Sequence, residues 1–324
     1  MRYLAEQESA ALALVSTRSR TAGQPEDSAF SQRHSSSRAG GVDAGAADER
    51  HGDALASNGW SLARTWRQIR LGLSFAQFGL TALGVAFVAA PLLRRRARSS
   101  EAAELAVQRA IHRAYRLSVA LWKAVGLIRV DATGAAGIAR QGTCIVVANH
   151  PTLIDVVLMG SLLEQMDCIV NAGWTAHSPF LARAIEVAGY LPNDSGQTMV
   201  DECAQRLARG RTLLVFPEGT RSPWPRPGQE GEKLGKFHRG AAHIALASGV
   251  PIVAVTIACT PRFVGSGRKW HEVPDGPSCF TLRVAARFDP KDYAAGGDSL
   301  PLQARRLTSD IRKIFLQEPS LADA

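Results

Sequence analysis

The stretch "CIVVANHPTLIDVVLMG", residues 144–160, begins as an apolar run, sets Asn149, His150 and Pro151 in its middle, and turns apolar again. Residues 144–148 have the length and β-branched content of a buried strand. Pro151 disfavours the α region for His150, so the chain must turn there before a helix opens near Thr152. Similar short apolar runs follow: "DCIVNAG" (167–173), "RTLLVFPEG" (211–219), "VPIVAVTIA" (250–258) and "FTLRVAARF" (280–288), with helical patterns between several of them. This alternation predicts an α/β fold, a mixed and largely parallel sheet flanked by helices. The closing helix is expected over 302–316, with Leu307, Ile311, Ile314 and Phe315 on one face.

Upstream the texture changes. Residues 1–57 are rich in Ser, Ala, Gly, Arg and Asp and poor in large apolar side chains, so they read as a disordered N-terminal tail. Residues 71–93, "LGLSFAQFGLTALGVAFVAAPLL", carry no charge and would reach about 34 Å as a helix, enough to cross a bilayer. A buried core helix and an in-plane hairpin are the rival readings. Residues 101–125 read as a basic amphipathic helix along a membrane surface, with Leu105, Ile111, Leu117, Leu121 and Val125 recurring at helical spacing. The expected organisation is therefore tail (1–57), membrane-associated helices (58–125), α/β domain (126–318) and short C-terminal tail (319–324).

The formal net charge of +9 is local. Residues 61–125 hold eleven Arg or Lys against two Glu, whereas residues 1–60 hold six Arg against eight Asp or Glu. A basic belt beside an apolar helix points to anionic lipid and away from nucleic acid. Basic clusters on both sides of residues 71–93 tilt the positive-inside rule slightly toward a cytoplasmic C-terminal side. Five cysteines without CxxC spacing indicate neither a disulfide framework nor a zinc site. His177, His238, His243 and His271 lack metal-ligand spacing, and no metal is inferred.

Two places could carry chemistry. His150 lies at a strand-to-helix turn, where α/β proteins bind ligands, and Asp155 follows five residues on. The competing account is a capping box, with Thr152 as cap and Asp155 reaching back. The second place is "LLVFPEGTRS", residues 213–222, where Glu218, Gly219, Thr220 and Arg221 supply a carboxylate, backbone N–H groups and a guanidinium suited to oxyanions. An ordinary turn with a surface ion pair is the alternative there. Lys236 and Arg239 could attract phosphate, or simply form a solvated helix face.

Together the two segments are recognisable. "NHPTLID" resembles the Asn-His-x4-Asp motif of the glycerolipid acyltransferase family, which includes the lysophosphatidic acid and lysophospholipid acyltransferases. "FPEGTRS" is similar to that family's second motif, and "FHRGAAHIALASGVPIVAVTI" to its later block, so the resemblance covers about residues 126–290. It implies transfer of a fatty acyl group from acyl-CoA or acyl-carrier-protein, used as co-substrate without any cofactor, to a hydroxyl of a lysolipid. His150 would be the general base and Asp155 its partner, while Glu218, Gly219, Thr220 and Arg221 would bind substrate. Asn149 would support the turn. A bacterial inner or cytoplasmic membrane is implied, with the catalytic domain facing the cytoplasm. One departure stands out: where phospholipid-acylating members often carry Phe-Ile-x-Arg, this chain has "GYLPNDSG" without an arginine. That weakens the case for a glycerol-phosphate acceptor. A thioester or ester hydrolase and a catalytically silent membrane scaffold remain as alternatives.

Overall fold

Short runs that are apolar at nearly every position can be satisfied only by a sheet covered on both faces, and that is where they lie. The computed structural model describes residues 46–171, 173, 179–193, 196–223, 234–262, 264–265, 274–294 and 297–318. The tail expected at 1–57 falls outside these residues up to 45, as do His177, His271, Asp194 and the C-terminal 319–324.

Seven strands form one sheet: β1 (Ile128–Asp131), β2 (Ile145–Ala148), β3 (Met166–Val170), β4 (Leu191–Pro192), β5 (Thr212–Val215), β6 (Ile252–Thr260) and β7 (Ser278–Phe288), in the order β1-β7-β6-β2-β5-β3-β4. All pairings are parallel except β6 with β7. The mixed, largely parallel sheet is as expected. The four-residue β1 and the two-residue β4 were not predicted, because neither run is long enough to show a period.

Register sorts the side chains into two cores. Val146 is level with Leu214 and Val253, and all three enter the core on one face. Ile145, Leu213 and Ile252 share the next level and point into the other. This is the two-residue period of a pleated sheet applied to three neighbouring strands. The second face is covered by α6 (Gln197–Ala208), α7 (Gly240–Ser248) and α9 (Leu300–Gln317), which bury Cys203, Leu207, Ile244, Leu307 and Phe315; α5 (Pro179–Ala188) precedes α6 in the chain and the short α8 (Lys291–Ala294) precedes α9. On α9, Ala304 joins Leu307, Ile311 and Phe315 as the fully buried row, and the expected Ile314 sits at its margin.

The first face is covered by α4 (Asp155–Leu162) and by an N-terminal helical hairpin. The first arm is α1 (Ala46–Gly84), which passes through one π-helical turn (Val85–Ala89) into α2 (Ala90–Arg96). The π turn ends two residues before Pro91, which has no N–H to give the preceding turn. The second arm is α3 (Ser100–Ala124), capped by the Ser99 hydroxyl accepting from Ala102 N–H at 3.1 Å. Phe78 packs against the Tyr115 and Trp122 rings, with centroids 6.2 and 5.8 Å apart. Gly160, the last residue of the opening stretch, lets Tyr115 approach α4: a Cβ there would meet its ring at 2.3 Å.

Two expectations change here. The first helix starts at Ala46, inside the segment assigned to the tail, because residues 46–57 include the helix formers Ala, Glu, Arg and Leu. As expected, the apolar stretch 71–93 lies in a helix, Leu62–Arg96, that is long and apolar enough to cross a membrane. Leu71 is in the sheet's core and Ala86 and Ala90 are buried, yet only 11% of the most apolar window of Leu62–Arg96 is covered by protein. The apolar stripe expected on α3 splits in two. Ala103, Val107, Val119 and Trp122 face the domain, while Leu117, Leu121 and Val125, four residues apart, form a separate exposed row.

The hairpin is fixed to the domain by polar contacts as well. Asp167 on β3 is wholly buried and accepts from Gln108 on α3 at 2.7 Å and from Arg211 at 3.1 Å. Burial pushes its carboxyl up from the usual range, and Arg211 and Arg206 oppose that shift.

Candidate active site

The β6, β2 and β5 strands are neighbours and run parallel, so the loops that leave their C-terminal ends meet. This is the end of an α/β sheet at which ligands bind. After β2, the Asn149 side chain continues the ladder in place of backbone. Its Nδ2 donates to Ile257 O and its Oδ1 accepts from Ile257 N, both at 2.8 Å. Asn149 thus supports the turn as expected, and its buried amide is satisfied on both sides.

His150 and Asp155 come together. His150 Nδ1 is 2.8 Å from Asp155 Oδ2, and Asp155 is wholly buried while the imidazole keeps one edge toward solvent. Asp155 Oδ2 also accepts from Thr152 N–H at 2.7 Å, and Oδ1 accepts from the Thr152 hydroxyl at 2.6 Å. With Nδ1 held by the carboxylate, Nε2 is the nitrogen left for a substrate proton. The imidazole stacks on Phe216, the first residue after β5, at 4.3 Å between centroids. The helix itself begins at Asp155, three residues later than predicted. The reach-back half of a capping box is formed, but the Thr152 hydroxyl donates to the carboxylate and caps nothing. The capping and catalytic readings of Asp155 are therefore compatible.

The β5 turn faces this pair. Ser222 N–H donates to His150 O at 2.7 Å, and His150 N–H donates back to Ser222 Oγ at 3.0 Å. Glu218 Oε1 also lies 3.4 Å from that N–H, a much weaker contact. Ser222 has one hydroxyl proton and passes it to Glu218 Oε1. Glu218 Oε2 accepts from Gly235 N–H at 2.7 Å. Both oxygens of this buried carboxylate are engaged by protein donors, so Glu218 holds the two turns together. The expected direct contact with substrate is geometrically open to Gly219 and Thr220, which are exposed, and not to Glu218.

Gly219 has φ +65°, the left-handed region that favours glycine, and an added Cβ would lie 3.4 Å from the His238 ring. Its N–H is used inside the turn, donating to Phe216 O at 3.1 Å. Arg221 is half-buried, and its Nη1 donates to Val264 O at 3.1 Å and Gly265 O at 3.0 Å. That nitrogen anchors a loop, leaving the rest of the guanidinium for an anionic group. Lys236, His238 and Arg239 are exposed beside this turn. Among the described residues, no three of His, Cys, Asp and Glu are grouped in a way that could hold a metal ion. Sequence reading gave Arg262 and Val264 no role, because their partners lie tens of residues away and no local pattern encodes them; Phe216 and Ser222 fall inside the second motif, but their contacts with His150 are not legible there.

Comparison with known proteins bears on this geometry. Residues 129–258, which contain both motifs, match the model of the Acyltransferase family. The lyso-ornithine lipid O-acyltransferase of Pseudomonas aeruginosa is 31% identical over 203 residues, spanning 59% of this chain and 69% of that protein. The chain belongs to the glycerolipid acyltransferase family. Other relatives are the 1-acyl-sn-glycerol-3-phosphate acyltransferase of Escherichia coli, 26% identical over 59% of this chain and 73% of that one, and a chloroplastic enzyme of the same name from Brassica napus, 28% identical over 45% of this chain. The chain spans less than half of that chloroplastic relative, 43% of its length. The crystal structure of the 1-acyl-sn-glycerophosphate acyltransferase of Thermotoga maritima shares the acyltransferase fold, with a TM-score of 0.53 over 78% of this chain and 99% of that one at 22% identity.

Proposed function

We propose that the protein is a membrane-attached O-acyltransferase that moves a fatty acyl group from a thioester donor, acyl-CoA or acyl-carrier-protein, to a hydroxyl of a lysolipid. The observation that carries this reading is the His150–Asp155 pair, 2.8 Å apart, with the imidazole edge open beside the β5 turn. An alcohol attacks a thioester slowly unless its proton leaves as the C–O bond forms. His150 Nε2 takes that proton, and Asp155 holds the ring's orientation and stabilises the imidazolium. The acceptor oxygen bonds to the thioester carbon, the C–S bond breaks, and the imidazolium returns its proton to the departing thiolate. No acyl-enzyme forms in this scheme.

The surroundings favour a lipid substrate. Leu153, between His150 and Asp155, is exposed, and a small, mostly apolar cavity lined by Leu71, Ser74, Phe75, Trp122, Leu127 and Ile154 adjoins the same turn. The exposed Leu117, Leu121 and Val125 row and the largely uncovered Leu62–Arg96 helix give the hairpin an apolar outer surface near eleven basic residues. A cytoplasmic or inner membrane with the α/β domain on the cytoplasmic side suits this charge distribution. Full-length protein is expected to float with phosphatidylglycerol vesicles and to stay bound in high salt. Complete release by salt would show a purely electrostatic attachment.

The relatives' names offer two acceptor classes, phosphate-bearing lysophosphatidic acid and phosphate-free lyso-ornithine lipid. The missing arginine in "GYLPNDSG" favours the second. Purified protein in vesicles should be given both acceptors, with palmitoyl-CoA and palmitoyl-acyl-carrier-protein in turn, and the products read by mass spectrometry. Diacylated lipid is expected. Free fatty acid without acylated lipid would replace this reading with hydrolysis.

A further inference from the structure

The segment after β6 touches both halves of the site. Val264 O accepts from Leu153 N–H at 3.2 Å, within the turn that carries His150 and Asp155. The same carbonyl accepts from Arg221, which reaches on to Gly265 O. Arg262 returns the contact, donating from Nη1 to Pro223 O at 3.2 Å, one residue past Ser222. Two arginines are thus exchanged between the loops that leave β5 and β6. Val264 is buried and has φ +47°, a conformation that a β-branched residue adopts only when its surroundings impose it.

We propose that Arg262 is a positioning residue of the acyl-transfer site: by holding the Pro223 carbonyl it fixes Ser222 against His150, while Arg221 ties Val264 and Gly265 across both catalytic turns. Its charge suits the place. Arg262 is buried, and burial pulls its pKa down, while the charges of Cys259, Asp155 and Glu218 hold it up. A guanidinium stays charged under such conditions where an ammonium gives way more readily, and here it offsets the two buried carboxylates of the site. The proposal rests on the reading of His150 as general base. If Pro223 is released, the Ser222 contacts to the His150 backbone loosen, and a displacement of about 1 Å at a reacting group costs on the order of a hundredfold in rate.

The test compares full-length wild type, R262Q and R262K in vesicles, using palmitoyl-CoA with lysophosphatidic acid or lyso-ornithine lipid, whichever the wild type acylates. R262Q is expected to lose about tenfold to a hundredfold in kcat with KM changed less than about threefold, and to keep a Tm within a few degrees of wild type. R262K, which keeps a donor for the Pro223 carbonyl but holds its charge less firmly when buried, should recover part of the lost kcat and no more. Unchanged kcat in folded R262Q, a rise in KM alone, or activity that falls in step with Tm in both variants would each overturn the proposal. Wild type with no acyl transfer to either lipid would instead sink the acyltransferase reading, which keeps the two failures apart.

Discussion

His150→Ala is expected to fold normally and to lose roughly a hundredfold to ten-thousandfold in acyl transfer, the range for removing a general base. Among the described residues, the imidazole makes one side-chain hydrogen bond and one ring contact, with Asp155 and Phe216. Removing it leaves Asp155 Oδ2 still accepting from Thr152 N–H and Oδ1 from the Thr152 hydroxyl, so no buried carboxylate is stranded. The backbone N–H and C=O of His150, which hold Ser222, are also untouched. Loss of about 1 kcal/mol would move Tm by only about 2–4 °C in a chain of this size. KM for the donor should change little, since His150 acts on the acceptor's proton. An active, well-folded His150→Ala protein would sink the mechanism.

How much of this was legible beforehand follows the range of each signal. The five runs predicted as strands are strands: most are apolar at successive positions because they are covered on both faces, whereas β7, antiparallel to β6 and carrying Arg283 and Arg287, alternates between buried and exposed positions over its first half. Pro151 and Gly219 mark turns for local steric reasons, and His150 and Asp155 are five residues apart, so that half of the site could be read from one segment. Glu218 is legible as a candidate site residue, whereas the protein partners of its carboxylate are not. A carboxylate in a motif is the same letter whether it faces substrate or accepts from Ser222 and Gly235, and only the second partner, 17 residues on, decides. Arg262 and Val264 sit outside both motifs and join the site through contacts 39 to 111 residues away along the chain. The hairpin was half-read for a similar reason. Composition identified an apolar helix near basic residues, but not that Leu71 would enter the sheet's core while Leu73 and Leu80 stay exposed.

Asp155 gives the second large effect, and its three substitutions separate what the sequence left as rivals. Asp155→Asn can still accept at its carbonyl oxygen from Thr152 N–H and His150 Nδ1–H, and its amide can donate to the Thr152 hydroxyl, so the turn should hold. The imidazolium, however, loses its counter-charge and the preferred tautomer is no longer enforced. In Ser-His-Asp enzymes the same exchange costs about ten-thousandfold, and a loss of roughly a hundredfold to ten-thousandfold in kcat is expected here. Asp155→Ala removes the acceptor for three donors, two of them on Thr152 within a buried turn. Each stranded group costs about 1–3 kcal/mol, so this variant should lose both Tm and activity. Thr152→Ala deletes one hydroxyl bond to Oδ1 and leaves the Oδ2 contacts in place, which predicts a loss of about 1 kcal/mol in stability with acyl transfer largely kept. Thermal melts and initial rates on the three proteins read the pattern directly. Were Asp155→Asn to retain full activity while Thr152→Ala and Asp155→Ala lost only stability, the carboxylate would be a helix-start device alone, and the 2.8 Å contact to His150 would have no part in the chemistry.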